Sequence, residues 1–143
     1  MSRHDHAVSV QTTVPFHHCD PLFVVWHGRY FEYFEMARAE LMKSLGLDVP
    51  DVRNLGFRMY VTDVRCRYTY PLSYGDEVRI TARLTAITPL IRVVYTVTNI
   101  TEGRKSARAY TEIATTNAQG ELLVQTPAVI LERLPASLLE GLS

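Results

Sequence analysis

His27-Gly28-Arg29-Tyr30-Phe31-Glu32-Tyr33-Phe34-Glu35-Met36-Ala37-Arg38-Ala39-Glu40-Leu41-Met42-Lys43-Ser44-Leu45-Gly46 is the stretch whose reading decides the fold. It contains no proline. Tyr30, Phe34, Ala37, Leu41 and Leu45 recur at steps of three and four, which lays them along one face of an α-helix. Phe31 and Met42 widen that stripe, while Glu32, Glu40 and Lys43 fall off it. Gly46 is placed as the stop, because glycine takes the left-handed C-terminal conformation without strain. The spacing predicts a helix from about His27 to Leu45. So many large apolar residues on one helix require a broad surface to cover them.

The sequence on either side supplies that surface as strands. Upstream, Ala7 to Val14 is β-branched and partly alternating, and Pro15 ends it. Downstream, Phe57 to Tyr70 is rich in Tyr, Val and Thr and stops at Pro71. The turn Ser73-Tyr74-Gly75-Asp76 leads to Val78 to Leu84, where Val78, Ile80, Ala82 and Leu84 share one face. Further strands are predicted at Ile91 to Ile100, Ala107 to Thr116 and Leu122 to Leu131. Turns at 99–103 and 117–120 separate them. Pro135 to Leu142 is read as a short terminal helix. Short connections favour antiparallel neighbours. The expected plan is α+β, one long helix on an antiparallel sheet of about five or six strands, in a single domain over residues 1–143. One helix covers only part of such a sheet, so burial alone favours a homodimer or homotetramer.

Composition narrows the functions available. The 15 basic and 15 acidic residues cancel, so no global field draws the chain to nucleic acid or an anionic membrane. No apolar run is long enough to span a bilayer. The N-terminus lacks the apolar core of a secretory signal, and the 2 cysteines, Cys19 and Cys66, form no CxxC, so a cytoplasmic setting with free thiols is expected. His17-His18-Cys19-Asp20 invites a metal reading, but neighbours in extended chain point to opposite sides and do not converge on one ion. No Gly-rich phosphate loop occurs, and no cofactor is expected. Arg104, Lys105 and Arg108, in and after a turn, and Arg58, Arg65 and Arg67, on a strand, are candidate sites for phosphates or an acidic protein helix. Glu35 and Arg38, three apart on the helix, are spaced to pair.

Phe16-His17-His18-Cys19-Asp20-Pro21-Leu22-Phe23-Val24-Val25-Trp26-His27-Gly28-Arg29-Tyr30, running on into Phe31 to Arg38, closely resembles the opening motif of the 4-hydroxybenzoyl-CoA thioesterase-like hotdog family. That motif is an aspartate, a short turn, two aliphatics, an aromatic, a His or Tyr, and a Tyr opening a helix that ends in Glu-x-Ala-Arg. Tyr70-Pro71-Leu72-Ser73-Tyr74-Gly75-Asp76 is similar to the family's Pro-Leu-x-x-Gly-Asp turn. The resemblance implies a helix wrapped by a curved sheet, dimers or dimers of dimers, and active sites at the subunit interface. It also implies hydrolysis of acyl thioesters of coenzyme A or acyl carrier protein. Asp20 takes the place of the catalytic aspartate, and His27 that of the residue whose backbone N–H faces the thioester carbonyl. Where relatives usually have glycine, this chain has Phe23, which puts the turn geometry and the acyl pocket in question.

These residue types suit that chemistry. Negative charge develops on the carbonyl oxygen, and a helix N-terminus supplies unpaired N–H groups and a positive dipole end. Asp20, seven residues before His27, can act as general base or nucleophile, and its plainer reading is a turn or capping residue. Phe23, Trp26, Gly28 and Tyr30 are the candidate substrate-binding residues. Arg104, Lys105 and Arg108 are those for coenzyme A or a carrier protein. Glu35 is an alternative base. Two rival functions are a non-catalytic hotdog dimer that binds an acyl group or carrier protein, and a dehydratase or hydratase. The latter needs a helix histidine that is missing after His27.

Overall fold

The computed structural model describes residues 6–134. Strand β1 (His6–Thr13) is followed by irregular chain with a 3₁₀ turn at Phe16–His18. A second 3₁₀ turn, His27–Arg29, runs into helix α1 (Tyr30–Ser44), and helix α2 (Val49–Asn54) follows. Then come β2 (Phe57–Tyr68), β3 (Glu77–Ala86), β4 (Ile91–Asn99), β5 (Arg104–Asn117) and helix α3 (Ala128–Leu131). The strands form one antiparallel sheet in the order β1-β3-β4-β5-β2. The expected terminal helix over 135–142 lies outside the described residues.

Alternation decides which face of the sheet is inside. Val78, Ile80, Ala82 and Leu84 of β3, with Val93, Tyr95 and Val97 of β4, are buried against the helix, as the period-two pattern predicts. The α1 stripe is as expected at Tyr30, Phe34, Ala37, Leu41 and Leu45, all buried. Tyr33 joins the core, whereas Phe31 faces out at 47% exposure. α1 packs on β1 and β3, and α2 on β2. The inner face of edge strand β2 is therefore thinly covered, with Val61, Val64 and Tyr68 left exposed. No helix among the described residues is long and apolar enough to cross a membrane.

Two expectations change. The strand over Leu122 to Leu131 does not form: Leu122 makes one isolated bridge to Thr116, and the chain turns into α3. Pro127 cannot donate into a ladder, and its φ of −59° suits it to open a helical turn, which drops Ile130 into the core. The second change is α2, which the helical periodicity did not mark. Its Asp48 side chain accepts the Val49 N–H at 2.9 Å, and Asp51 accepts the Asp48 N–H at 3.0 Å, a reciprocal cap with Pro50 in the first turn.

Candidate active site at the helix tip

The chain between β1 and α1 folds into a small hairpin that brings Asp20 back along the approach to the helix. The Asp20 N–H donates to the Val24 carbonyl at 2.9 Å, Cys19 bridges Val25, and the Trp26 N–H donates to the His18 carbonyl at 3.1 Å. At its tip, the Phe23 N–H donates to the Asp20 carbonyl and the Leu22 N–H donates to Asp20 Oδ1, at 2.9 Å and 2.8 Å. Asp20 thus has the turn role that aspartate before proline commonly takes. Among the described residues its Oδ2 has no hydrogen-bond partner.

Phe23 closes this turn with φ of 67°, the left-handed conformation that favours glycine. Its ring points outward at 63% exposure and fills no interior space. The conformation costs a non-glycine residue about 1–2 kcal/mol. Phe23→Gly is therefore expected to keep the turn and raise stability by up to about 1 kcal/mol, read from the denaturant midpoint. A marked loss of stability would mean that the exposed ring, not the backbone, holds the turn.

The helix tip is built by Trp26, His27 and Gly28. The N–H groups of Arg29 and Tyr30 are used within the 3₁₀ turn, by the carbonyls of Trp26 and His27. Those of His27 and Gly28 have no protein acceptor among the described residues. They are the free donors expected at a helix start. Gly28 is needed for space: a Cβ there would sit 2.3 Å from the Trp26 ring, which folds over it. The Tyr68 hydroxyl donates to the His27 carbonyl at 2.9 Å and so ties the tip to β2; burial pushes the Tyr68 pKa up to about 12.

Behind the hairpin, His18 Nδ1 lies 3.0 Å from the Tyr33 hydroxyl. Partial desolvation lowers the His18 pKa below the ordinary histidine value of 6.5, and burial raises Tyr33 to about 12. A histidine depressed on folding binds more protons when unfolded, so stability rises with pH between its folded value and 6.5. Acidification through that window is expected to loosen the hairpin, and an NMR titration should place the His18 midpoint below 6.5. A midpoint at or above 6.5 would contradict the neutral His18–Tyr33 contact.

Not every candidate residue converges here. Asp20, Phe23, Trp26, His27 and Gly28 belong to one loop and its helix tip. Tyr30 is 3% exposed and packs against Tyr33 and Tyr68, so in the single chain it supports the tip from below and offers no surface to a ligand. Glu35 and Arg38 do not pair among the described residues. Arg38 donates to the Tyr95 hydroxyl at 3.2 Å, and the i,i+3 ion pairs among the described residues are Arg29–Glu32 at 2.9 Å and Glu40–Lys43 at 3.6 Å. Glu35 and Arg38 instead line a cleft of about 390 Å³ between α1, α2 and β2. Arg104 and Lys105 open β5, with Arg104 over the Tyr70 ring, and Arg108 faces away from the helix. None of the residues lining the cleft between α1, α2 and β2 belongs to the Asp20 loop. His18, Tyr33 and Tyr68, which the helical and strand patterns marked only as loop, off-stripe and strand residues, prove to position the loop and tip.

Comparison with known proteins agrees with this architecture. A candidate esterase from Aquifex aeolicus (strain VF5) is 36% identical over 63 residues, 44% of this chain and 49% of that protein, so the match spans about half of the relative's length. A candidate esterase from Synechocystis sp. is 29% identical over 82% of this chain and 72% of its own. The structure of a 1,4-dihydroxy-2-naphthoyl-CoA thioesterase from Synechocystis, 14% identical, superposes with a TM-score of 0.78 over 94% of this chain and 97% of its own, which establishes the likeness of fold. Residues 14–134 match the thioesterase-like superfamily, and with the hotdog fold observed, the chain belongs to that superfamily.

Proposed function

We propose that the protein hydrolyses an acyl thioester to a carboxylic acid and a thiol. Asp20 serves as general base or nucleophile, and the N–H groups at the helix tip polarise the carbonyl. The observation that carries this reading is the hairpin pairing of Asp20 with Val24 and of His18 with Trp26. It sets a carboxylate and the free His27 and Gly28 amides on one short ribbon. Membership of the thioesterase-like superfamily and the resemblance of Phe16 to Arg38 to the 4-hydroxybenzoyl-CoA thioesterase-like family support it. So does its similarity to a candidate acyl-CoA thioesterase from Bacillus subtilis and, in fold, to the Synechocystis 1,4-dihydroxy-2-naphthoyl-CoA thioesterase.

In this reading the acyl pocket is completed by a second copy of the chain. Phe16, Leu22, Phe23 and Trp26 are each more than half exposed around the Asp20 loop, an unusual concentration of large apolar side chains in water. A homodimer joined through the β2 edge covers the inner face of that strand and gives the Asp20 loop an opposing wall. Phe23 and Trp26 then bound the acyl group, and Gly28 lets the Trp26 ring lie close to the tip. Turnover of a panel of aliphatic and aromatic acyl thioesters, on coenzyme A and on carrier protein, tests the proposal. Acid and thiol in equal amounts are expected from at least one class. Binding without release of thiol across the panel would favour the non-catalytic acyl-binding reading.

A further inference from the structure

The sheet face turned away from α1 carries a concentration of arginine that the chemistry at the helix tip does not use. Register places Arg65 opposite Tyr110 and Arg67 opposite Arg108 on β2 and β5, and Arg92 of β4 opposite Glu112. Residues directly paired share a face, so these side chains stand together. Arg65, Arg67, Arg92 and Arg108 line a groove of about 440 Å³. Arg79 and Arg83 extend the row onto β3, and Lys105, opposite Thr98, extends it toward the sheet end.

The arrangement leaves positive charge unanswered. Arg92 is engaged, lying 3.9 Å over the Tyr110 ring and 3.8 Å from Glu112. Among the described residues no carboxylate comes within salt-bridge distance of Arg65, Arg67 or Arg108. Like charges directly across a strand pair are destabilising, and Arg67 and Arg108 form such a pair. A chain with 15 basic and 15 acidic residues has not placed this row here through general excess of positive charge.

We infer that this outer sheet face is the docking surface for an acidic acyl-carrier protein, with Arg67 and Arg108 at its centre. The sheet's backbone amides are spent in ladders, so the face has no N–H cradle of the kind that encloses a single phosphate. Its arginines instead span four strands, the footprint of a protein surface. Asp63, Glu77 and Glu112 also lie on this face, and these carboxylates oppose the unbroken negative charge of a nucleic-acid backbone. The same row repels a second copy packed back to back. The face ends beside the site: Tyr68, next to Arg67, holds the His27 carbonyl. A carrier docked here delivers its thioester arm around that end of β2. The partner's cargo rests on the thioesterase reading, but the docking itself does not.

The test is binding of a discrete, strongly acidic acyl carrier protein in its apo form, without the thioester arm, to the full chain by titration calorimetry. Micromolar binding is expected, weakened at least about tenfold by raising salt from 0.1 to ~0.5 M, as for charge-steered contacts. Arg67→Glu and, as the gentler change, Arg67→Gln should weaken it at least about tenfold and about threefold, with circular dichroism unchanged. A carrier with one acidic patch residue reversed to lysine should recover part of the loss with Arg67→Glu. No binding, or binding indifferent to both variants, overturns the inference. So does Arg67-dependent binding of ADP or duplex DNA in place of the carrier. Asp20→Asn separates the two claims, since it should abolish hydrolysis and leave apo-carrier binding intact.

Discussion

Replacing Asp20 with asparagine is expected to lower thioester turnover at least about 100-fold while leaving the fold intact, the scale for removal of a positioned base. The two halves of that expectation have separate causes. Asp20 Oδ1 accepts the Leu22 N–H, and the Asp20 N–H and carbonyl pair with Val24 and Phe23. An asparagine is of the same shape, keeps an Oδ1 acceptor for Leu22 and leaves the backbone pairs untouched, so the hairpin survives. What disappears is the negative charge and the free Oδ2, the group that would take a proton from water or attack the acyl carbon. Steady-state release of thiol, with circular dichroism as the control for folding, reads both. A folded variant with undiminished turnover would remove Asp20 from the chemistry and return it to its turn role alone.

The second large effect is expected at the β2 edge. Val61 and Val64 are 45% and 38% exposed on the inner face of a 12-residue edge strand, one of whose sides has no neighbouring strand among the described residues. Long, flat, apolar edges invite pairing with another chain, and lysine placed on them is a common block. Val61→Lys with Val64→Lys is expected to halve the mass measured by light scattering. Turnover should fall by about 100-fold, the cost of misplacing reacting groups by about an ångström. The substitutions leave the core alone, because neither valine is buried. A wild-type chain that is already monomeric, or a monomeric variant that keeps full turnover, would contradict a site completed by two copies.

How far the fold could be read in advance depended on how local its causes are. The α1 stripe and the alternation of β3 are set by side-chain period against one buried face, and they match the structure residue by residue, with Tyr33 and Phe31 as the exceptions at the helix margin. α2 went unread because six residues are too few for a periodic signal, although Asp48, Pro50 and Asp51 formed a legible cap. Leu122 to Leu131 misled because its apolar run suits a strand equally well, and Pro127 decided the matter. At the site, the stretch from Asp20 to Gly28 stood out through its resemblance to the family motif, whereas residue types and spacing alone gave Asp20 only a turn or capping role. The conformation of Phe23 was foreshadowed by the glycine usual at its position. The contacts of Tyr68 with His27 and of His18 with Tyr33 are tertiary, joining residues 41 and 15 apart, and no local pattern announces them. The pairing expected of Glu35 and Arg38 gave way for a similar reason, since Tyr95 on the sheet offers Arg38 an acceptor that helix spacing cannot foresee.

The proposed hydrolysis requires one carboxylate and one helix tip to address the same acyl carbon. A crystal structure of the Asp20→Asn protein soaked with a thioester substrate tests it most directly. The thioester oxygen is predicted to lie about 3 Å from the His27 or Gly28 N–H, with the side chain at position 20 on the opposite side of the carbonyl carbon. An acyl carbonyl bound elsewhere, with residue 20 turned to bulk water, would contradict it.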